Sequence, residues 1–195
     1  GHQIIIYDGA GLFSAARVWW LFKLMGKKDV SVLDGGFPKW LKEGHPQDNQ
    51  PVTLRDKHFT ASFTGALVKN VTQVSAASKL GDHTIIDARD ADRFKGKAAE
   101  PRAGLRAGHI PGSTNLHYKE LLNDDGTMKN KDSLQSLFKK ARINQEKPII
   151  TTCGSGVTAA IISLALEIVG YKNHSVYDGS WTEWGQFDQL PVEVG

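Results

Sequence analysis

The chain has 195 residues, 40% of them hydrophobic and 23% charged, with a formal net charge of +3. That supplies a sizeable core for one large domain or two small ones. The basic residues are dispersed and no apolar run is long enough to span a bilayer, so neither a nucleic-acid footprint nor a membrane protein is expected. The single cysteine excludes an internal disulfide and any site built from several Cys ligands. It fits a reducing compartment: the cytoplasm, or the mitochondrion in a eukaryote. Gly1-His2-Gln3 lacks the basic flank and apolar stretch of a signal peptide, and the absent initiator Met suggests a trimmed start.

In chain order, Ile4-Ile5-Ile6 is a short β-branched run ending at a polar residue, Asp8, with a Gly-containing turn after it. Residues 14–20 and 30–40 follow as further ordered segments. Residues 49–69 lack periodicity and read as a linker, with a candidate short strand over 58–63. Thr84-Ile85-Ile86-Asp87 reads as a buried parallel strand, and residues 108–112 as a turn into 114–116. Residues 132–141 have helical spacing, with Leu134, Leu137 and Phe138 on one face and Asp132 as the candidate cap. Residues 148–152 form another buried strand. Residues 157–169 form a helix apolar nearly all round, 174–177 a strand, and 180–184 a closing helix. Strands alternating with helices predict an α/β fold with a parallel sheet flanked by helices.

The chain also repeats itself. Ile4–Asp8 matches residues 149–153, residues 14–20 match 157–163, and 30–40 match 175–184. The offsets are consistent: 145 from Asp8 to Cys153, 144 from Asp34 to Asp178 and 144 from Trp40 to Trp184. Two tandem domains are implied, the first incomplete: residues 1–48 as the C-terminal part of a first domain, 49–69 as linker, and 70–195 as a full second domain. A partial domain exposes core and sheet edges, so a separate fragment or a second copy is expected to complete it. Trp40 and Trp184 share a place in the repeat. They and Trp19, Trp20 and Trp181 are read as packing residues.

Cys153 is the candidate nucleophile. In Thr152-Cys153-Gly154-Ser155-Gly156-Val157-Thr158 a strand ends, a Gly-rich turn follows and a helix starts. Glycines there let successive N–H groups turn inward into an anion-binding nest, and the helix N-terminus adds partial positive charge. Both favour a thiolate. A Cys-x5-Arg phosphatase is disfavoured because Ala159 stands where the arginine is needed. A Cys protease needs a His base, for which His109, His117 and His174 are available, but none lies in a protease signature. No His/Asp/Glu cluster has metal spacing, so neither metal nor cofactor is expected.

Cys153-Gly154-Ser155-Gly156-Val157-Thr158-Ala159 resembles the active-site loop of the 3-mercaptopyruvate sulfurtransferases, two-domain relatives of rhodanese. Residues 14–20 resemble that family's inactive first domain, with Asp8 where the nucleophile is lacking. Residues 108–112 and 178–181 resemble further rhodanese signatures. The resemblance implies sulfur transfer from 3-mercaptopyruvate through a Cys153 persulfide to a thiol such as thioredoxin, or to cyanide, with release of pyruvate. It implies Ser155 as a catalytic partner of Cys153, and Arg93, Arg102, Gly154, Gly156, Val157 and Thr158 as substrate-binding residues. Asp87 and Arg89 are expected to brace the loop as an ion pair, and Lys95 and Arg106 to be solvated. The alternatives are a thiosulfate-using rhodanese, disfavoured because Gly154 and Ser155 are neutral where such enzymes carry basic residues, and a non-enzymatic persulfide carrier or redox module.

Overall fold

A computed structural model describes residues 2–53, 56–144 and 146–195. Two parallel sheets are present. The smaller pairs β1 (Ile4–Ile6) with β2 (Val30–Val32) through the crossover helix α1 (Ala15–Leu24), and α2 (Gly36–Lys42) follows. The larger has strand order β3-β7-β6-β4-β5, all parallel: β3 (Val68–Lys69), β4 (Thr84–Asp87), β5 (Thr114–Asn115), β6 (Ile149–Thr152) and β7 (His174–Tyr177). Its crossovers carry α3 (Val71–Leu80), α4 (Ala91–Phe94), α5 (Lys131–Lys140) and α6 (Ala159–Val169), and α7 (Ser180–Trp184) closes it. Parallel strands are covered on both faces, so β6 and β7 are buried at every residue.

α6 explains how the two sheets become one body. Eight of its residues are buried, among them Ile161, Ile162 and Leu166, because it is covered on more than one side. It packs against its own sheet and, across the repeat, against α1, whose Trp19 and Trp20 belong to the same apolar cluster. Burying one such aliphatic side chain stabilises the fold by about 1.5–3 kcal/mol. The Trp20 indole N–H donates to Leu67 O (3.1 Å), and the Met128 N–H to Asp34 Oδ1 (2.7 Å), so polar contacts also cross the junction.

Several local expectations are corrected. Residues 58–63 form no strand. The Ser62 and Thr64 amides instead donate to Met25 O and Leu24 O, laying the segment over the end of α1. The sheet of the second unit begins earlier, at Val68, inside the stretch read as linker. α3 opens on a reciprocal capping box between Asn70 and Gln73. α5 is capped by Asn130, not Asp132, because the Asn130 carboxamide accepts from Ser133 N (2.9 Å). Arg106 is not solvated. Its guanidinium donates to the carbonyls of Trp184, Gly185, Phe187 and Leu190, which tethers the turn after α7. Trp184 is fully buried whereas Trp40 is half-buried against His45, yet both indoles donate to a downstream proline carbonyl at 2.9 Å, Pro191 and Pro46.

Candidate active site

Cys153 stands at the carboxyl end of β6, in the middle of the larger sheet, where parallel α/β folds form their ligand sites. Its backbone is fixed from the next strand–helix junction. The Cys153 amide donates to Ser180 Oγ (3.2 Å), and Ser180 Oγ donates to Tyr177 O (2.8 Å). The Trp181 amide donates to Cys153 O (2.9 Å). Ser180 holds a left-handed conformation (φ 51°), uncommon for a residue with a Cβ, at the point where its hydroxyl meets the nucleophile's amide.

After Cys153 the chain turns through 154–158 before α6 begins at Ala159, two residues later than the sequence suggested. Among the described residues the amides of Gly154, Ser155, Gly156, Val157 and Thr158 donate to nothing. Five adjacent free N–H groups at a helix entrance form the anion nest that the Gly-x-Gly spacing predicts. The two glycines act differently. Gly156 has φ 76°, and a Cβ there would meet Arg17 Nη1 and Asp178 O at 2.8 Å. Gly154 has an ordinary φ; its missing side chain makes room for Arg93, whose Nη2 would lie 3.1 Å from a Cβ.

A cleft of ≈ 580 Å³ opens over the loop. Cys153, Gly154, Ser155, Val157, Thr158, Arg93 and Arg102, all singled out from sequence, line it together. Gly156 does not. It is buried, and its carbonyl accepts from Arg17 Nη1 (3.4 Å) of the first unit, so it supports the loop from behind. The Ser155 hydroxyl has no partner among the described residues, and α6 receives no side-chain cap, so Ser155 is not a capping residue. A larger cavity of ≈ 790 Å³ lies beside Trp19, Val30 and Met128, away from Cys153.

The charges around the cleft are arranged in a chain. Asp87 pairs with Arg89 (2.7 Å), Arg89 with Glu100 (2.8 Å) and Glu100 with Arg93 (2.6 Å). Asp87, Arg89 and Glu100 are almost fully buried, and the Arg89 guanidinium lies 4.4 Å from the Trp181 ring centre. Burial opposes the charge on Arg93, but the Glu100 carboxylate raises its pKa further. Two arginines thus face two carboxylates and the network is neutral. Among the described residues Arg102 has no carboxylate partner; its Nη1 donates to the Thr182 hydroxyl (3.1 Å). The expectation for Asp87 and Arg89 is borne out, with Glu100 as the member that sequence reading left unassigned.

Phe13, Asp90, His117, Tyr118 and Lys119 also line the cleft and were missed as site residues. Phe13 comes from the Asp8 turn and meets Tyr118 edge-on at 6.1 Å. Burial, opposed by Asp90, pushes the His117 imidazole below its ordinary value, so it is neutral near pH 7. Their signal lay in position: residues 117–119 follow β5, whose carboxyl end adjoins that of β4.

The profile of the rhodanese-like domain matches residues 1–43 and 70–187. The 3-mercaptopyruvate sulfurtransferase of Escherichia coli K12 is 43% identical over 191 residues, covering 98% of this chain and 68% of that protein. The thiosulfate sulfurtransferase of Bos taurus is 40% identical over 195 residues, covering 98% of this chain and 65% of that protein. The crystal structure of SseA from Escherichia coli, a 3-mercaptopyruvate sulfotransferase, superposes with TM-score 0.81 at 40% identity, over 92% of this chain and 66% of that one. Tum1 from Saccharomyces cerevisiae superposes with TM-score 0.86 at 31% identity, over 97% of this chain and 68% of that one. The chain therefore spans about two thirds of the relatives it matches.

Proposed function

The chain belongs to the rhodanese-like family, and on that footing we propose that it transfers sulfur from 3-mercaptopyruvate, through a persulfide on Cys153, to a thiol acceptor such as thioredoxin or to cyanide. The observation that carries this reading is the run of free amides from Gly154 to Thr158 beside one cysteine, under a cleft that Arg102 enters without a carboxylate partner among the described residues. The Cys153 thiolate attacks the donor sulfur. The donor's C–S bond breaks with its electron pair passing to carbon as the enolate of pyruvate, and the donor's thiol proton ends on the methyl group of pyruvate. The outer sulfur of the persulfide, an anion, is held by the same N–H groups that held the thiolate. Ser155, with its hydroxyl free, donates to the substrate carbonyl as negative charge moves onto it. Arg93 and Arg102 take the carboxylate, for which a planar guanidinium is suited. The acceptor thiolate then attacks the outer sulfur and regenerates Cys153.

Donor charge follows from the loop. Thiosulfate is a dianion, and Gly154 and Ser155 offer it no cation beside the nucleophile; the planar carboxylate of a 2-oxo acid matches the Arg102 guanidinium. The division of the chain into 1–48, 49–69 and 70–195 belongs to the same reading. So does a cover for the smaller sheet, by another fragment or a second copy, supported by the exposure of Ile5 and Tyr7 on and beside β1. A reducing compartment, cytoplasmic or mitochondrial, suits an exchangeable persulfide.

The test is intact mass after brief incubation with 3-mercaptopyruvate, with a thiosulfate arm and a Cys153→Ser control. One added sulfur atom from mercaptopyruvate alone, absent in Cys153→Ser, is the expected result. A gain from thiosulfate alone would assign the donor to the rhodanese class. A persulfide that forms but passes to no acceptor would mark a carrier without turnover, and sulfur retained in Cys153→Ser would refute the mechanism.

A further inference from the structure

Arg102 is exposed on the loop after α4, and among the described residues its guanidinium has one polar contact, the Thr182 hydroxyl. Thr182 is bound in turn to the nucleophile's loop. Its hydroxyl donates to Gly154 O at 2.6 Å and its amide donates to the same carbonyl at 2.8 Å. A hydroxyl has one proton and two lone pairs, so giving the proton to Gly154 leaves an acceptor aimed at Arg102. The two bonds therefore have a fixed direction: Arg102 to Thr182 to Gly154. Among the described residues, this side chain alone links the Arg102 guanidinium by hydrogen bonds to the residue next to Cys153. The other cleft arginine, Arg93, is held independently by Glu100.

Resting on the sulfur-transfer reading, we infer that Thr182 is a specificity-determining positioning residue, which holds Arg102 over the Cys153 loop so that a monoanionic carboxylate is drawn to the nucleophile. It touches no reacting atom and acts through Arg102. A long, flexible arginine without this anchor spreads its charge over many rotamers, and the entropy of collecting it falls on substrate binding. Thr182→Val removes the anchor while keeping the shape and the amide bond to Gly154 O. Thr182→Ser keeps the hydroxyl.

The experiment measures alkylation of Cys153 by iodoacetate and by iodoacetamide, which differ by one carboxylate. The ratio of the two rates reads the local cation and does not depend on sulfur transfer. In Thr182→Val the ratio should fall roughly three- to fivefold, the scale of one partly exposed charge contact. It should stay at the wild-type value in Thr182→Ser and fall similarly in Arg102→Ala. Adding Thr182→Val to Arg102→Ala should change it no further. The KM for 3-mercaptopyruvate should rise in parallel, with kcat little changed. An unchanged ratio in Thr182→Val overturns the inference, and so does an equal fall on the Arg102→Ala background. If Thr182→Val does not fold, Thr182→Ala carries the same comparison. A wild-type chain that shows the alkylation pattern but gains no sulfur from mercaptopyruvate overturns the sulfur-transfer reading and leaves Thr182 supported.

Discussion

The turns after β1 and β6 are the same device in two states. Asp8-Gly9-Ala10-Gly11 and Cys153-Gly154-Ser155-Gly156 both leave a parallel strand, both place a left-handed glycine third after the polar residue, and both feed a helix. In the first, the nest is filled from within. Asp8 Oδ2 accepts from the amides of Ser14 (2.6 Å) and Ala15 (2.8 Å), and Oδ1 from Ala10 (2.8 Å). In the second, Cys153 stands at that place, its thiol takes no such bond among the described residues, and the amides stay free for an anionic sulfur. The difference teaches that chemistry here needs an unsatisfied loop, and an unsatisfied loop needs support from elsewhere. The Asp8 turn satisfies itself. The Cys153 turn is held by Ser180 at its start, Thr182 at Gly154 and Arg17 at Gly156.

The largest expected effect separates the two left-handed glycines. Gly156→Ala incurs the left-handed cost of about 1–2 kcal/mol and also drives a methyl into Arg17 Nη1 and Asp178 O at 2.8 Å. Gly11→Ala incurs the same backbone cost, but its methyl meets Gly126 at an ordinary 3.5 Å. Urea unfolding should show Gly156→Ala losing about 3 kcal/mol or more and Gly11→Ala about 1–2. Equal losses would show that the Arg17 brace carries no weight.

Asp8→Ala comes next. It removes the acceptor from three partly exposed amides of the first turn, a cost of about 1 kcal/mol. Burial raises the Asp8 pKa, but the amides of Ala15, Ala10 and Ser14 outweigh it and hold the group below its ordinary 3.8. A depressed carboxylate stabilises above its unfolded value, and that contribution is lost as pH falls through the lower folded value. The gap in Tm between the wild type and Asp8→Asn should therefore be constant at neutral pH and close in acid below about 4. A gap independent of pH would remove the ionised Asp8 from the nest.

How far the sequence carried this comparison depends on the range of the interactions involved. β4, β6 and β7 were legible because buried parallel strands read as short apolar runs. The repeat offset placed Asp8 opposite Cys153, and the Gly-x-Gly spacing announced the nest. What was not legible came from distant segments. Glu100 lies seven residues from Arg93 and eleven from Arg89, with no pattern to say that it sits between them. Thr182 reaches Arg102 across 80 residues and Arg17 reaches Gly156 across 139, through tertiary contacts that no local rule encodes. Gly154 shows the converse limit. Its glycine was read as a conformational need, but its φ is ordinary and the need is space for Arg93.

Replacing the two arginines sharpens the difference in how they are held. Arg102→Ala should raise the KM for mercaptopyruvate about tenfold, the scale of one charged hydrogen bond, with little loss of stability. Arg93→Ala should raise KM similarly and also lower Tm, because it leaves the buried Glu100 with Arg89 alone. Equal Tm values in the two variants would contradict the neutral four-charge network.

The smallest expected effect is the most diagnostic of the loop pair. A Cβ on Gly9 meets nothing within 4 Å and its φ is ordinary, so Gly9→Ala should be neutral or stabilise by up to about 1 kcal/mol through the unfolded chain. A Cβ on Gly154 lies 3.1 Å from Arg93 Nη2, and that guanidinium is tied to Glu100 at 2.6 Å. The arginine end yields by a few tenths of an ångström, so stability should change by less than about 1 kcal/mol. Its carboxylate grip moves with it, and a misplacement on that scale is felt in reactivity long before it is felt in folding. Gly154→Ala should accordingly keep the wild-type Tm while slowing persulfide formation from mercaptopyruvate several-fold. Unchanged rates would mean that Arg93 takes no part in holding the donor, and that the second glycine-rich turn differs from the first only in its nucleophile and its free amides.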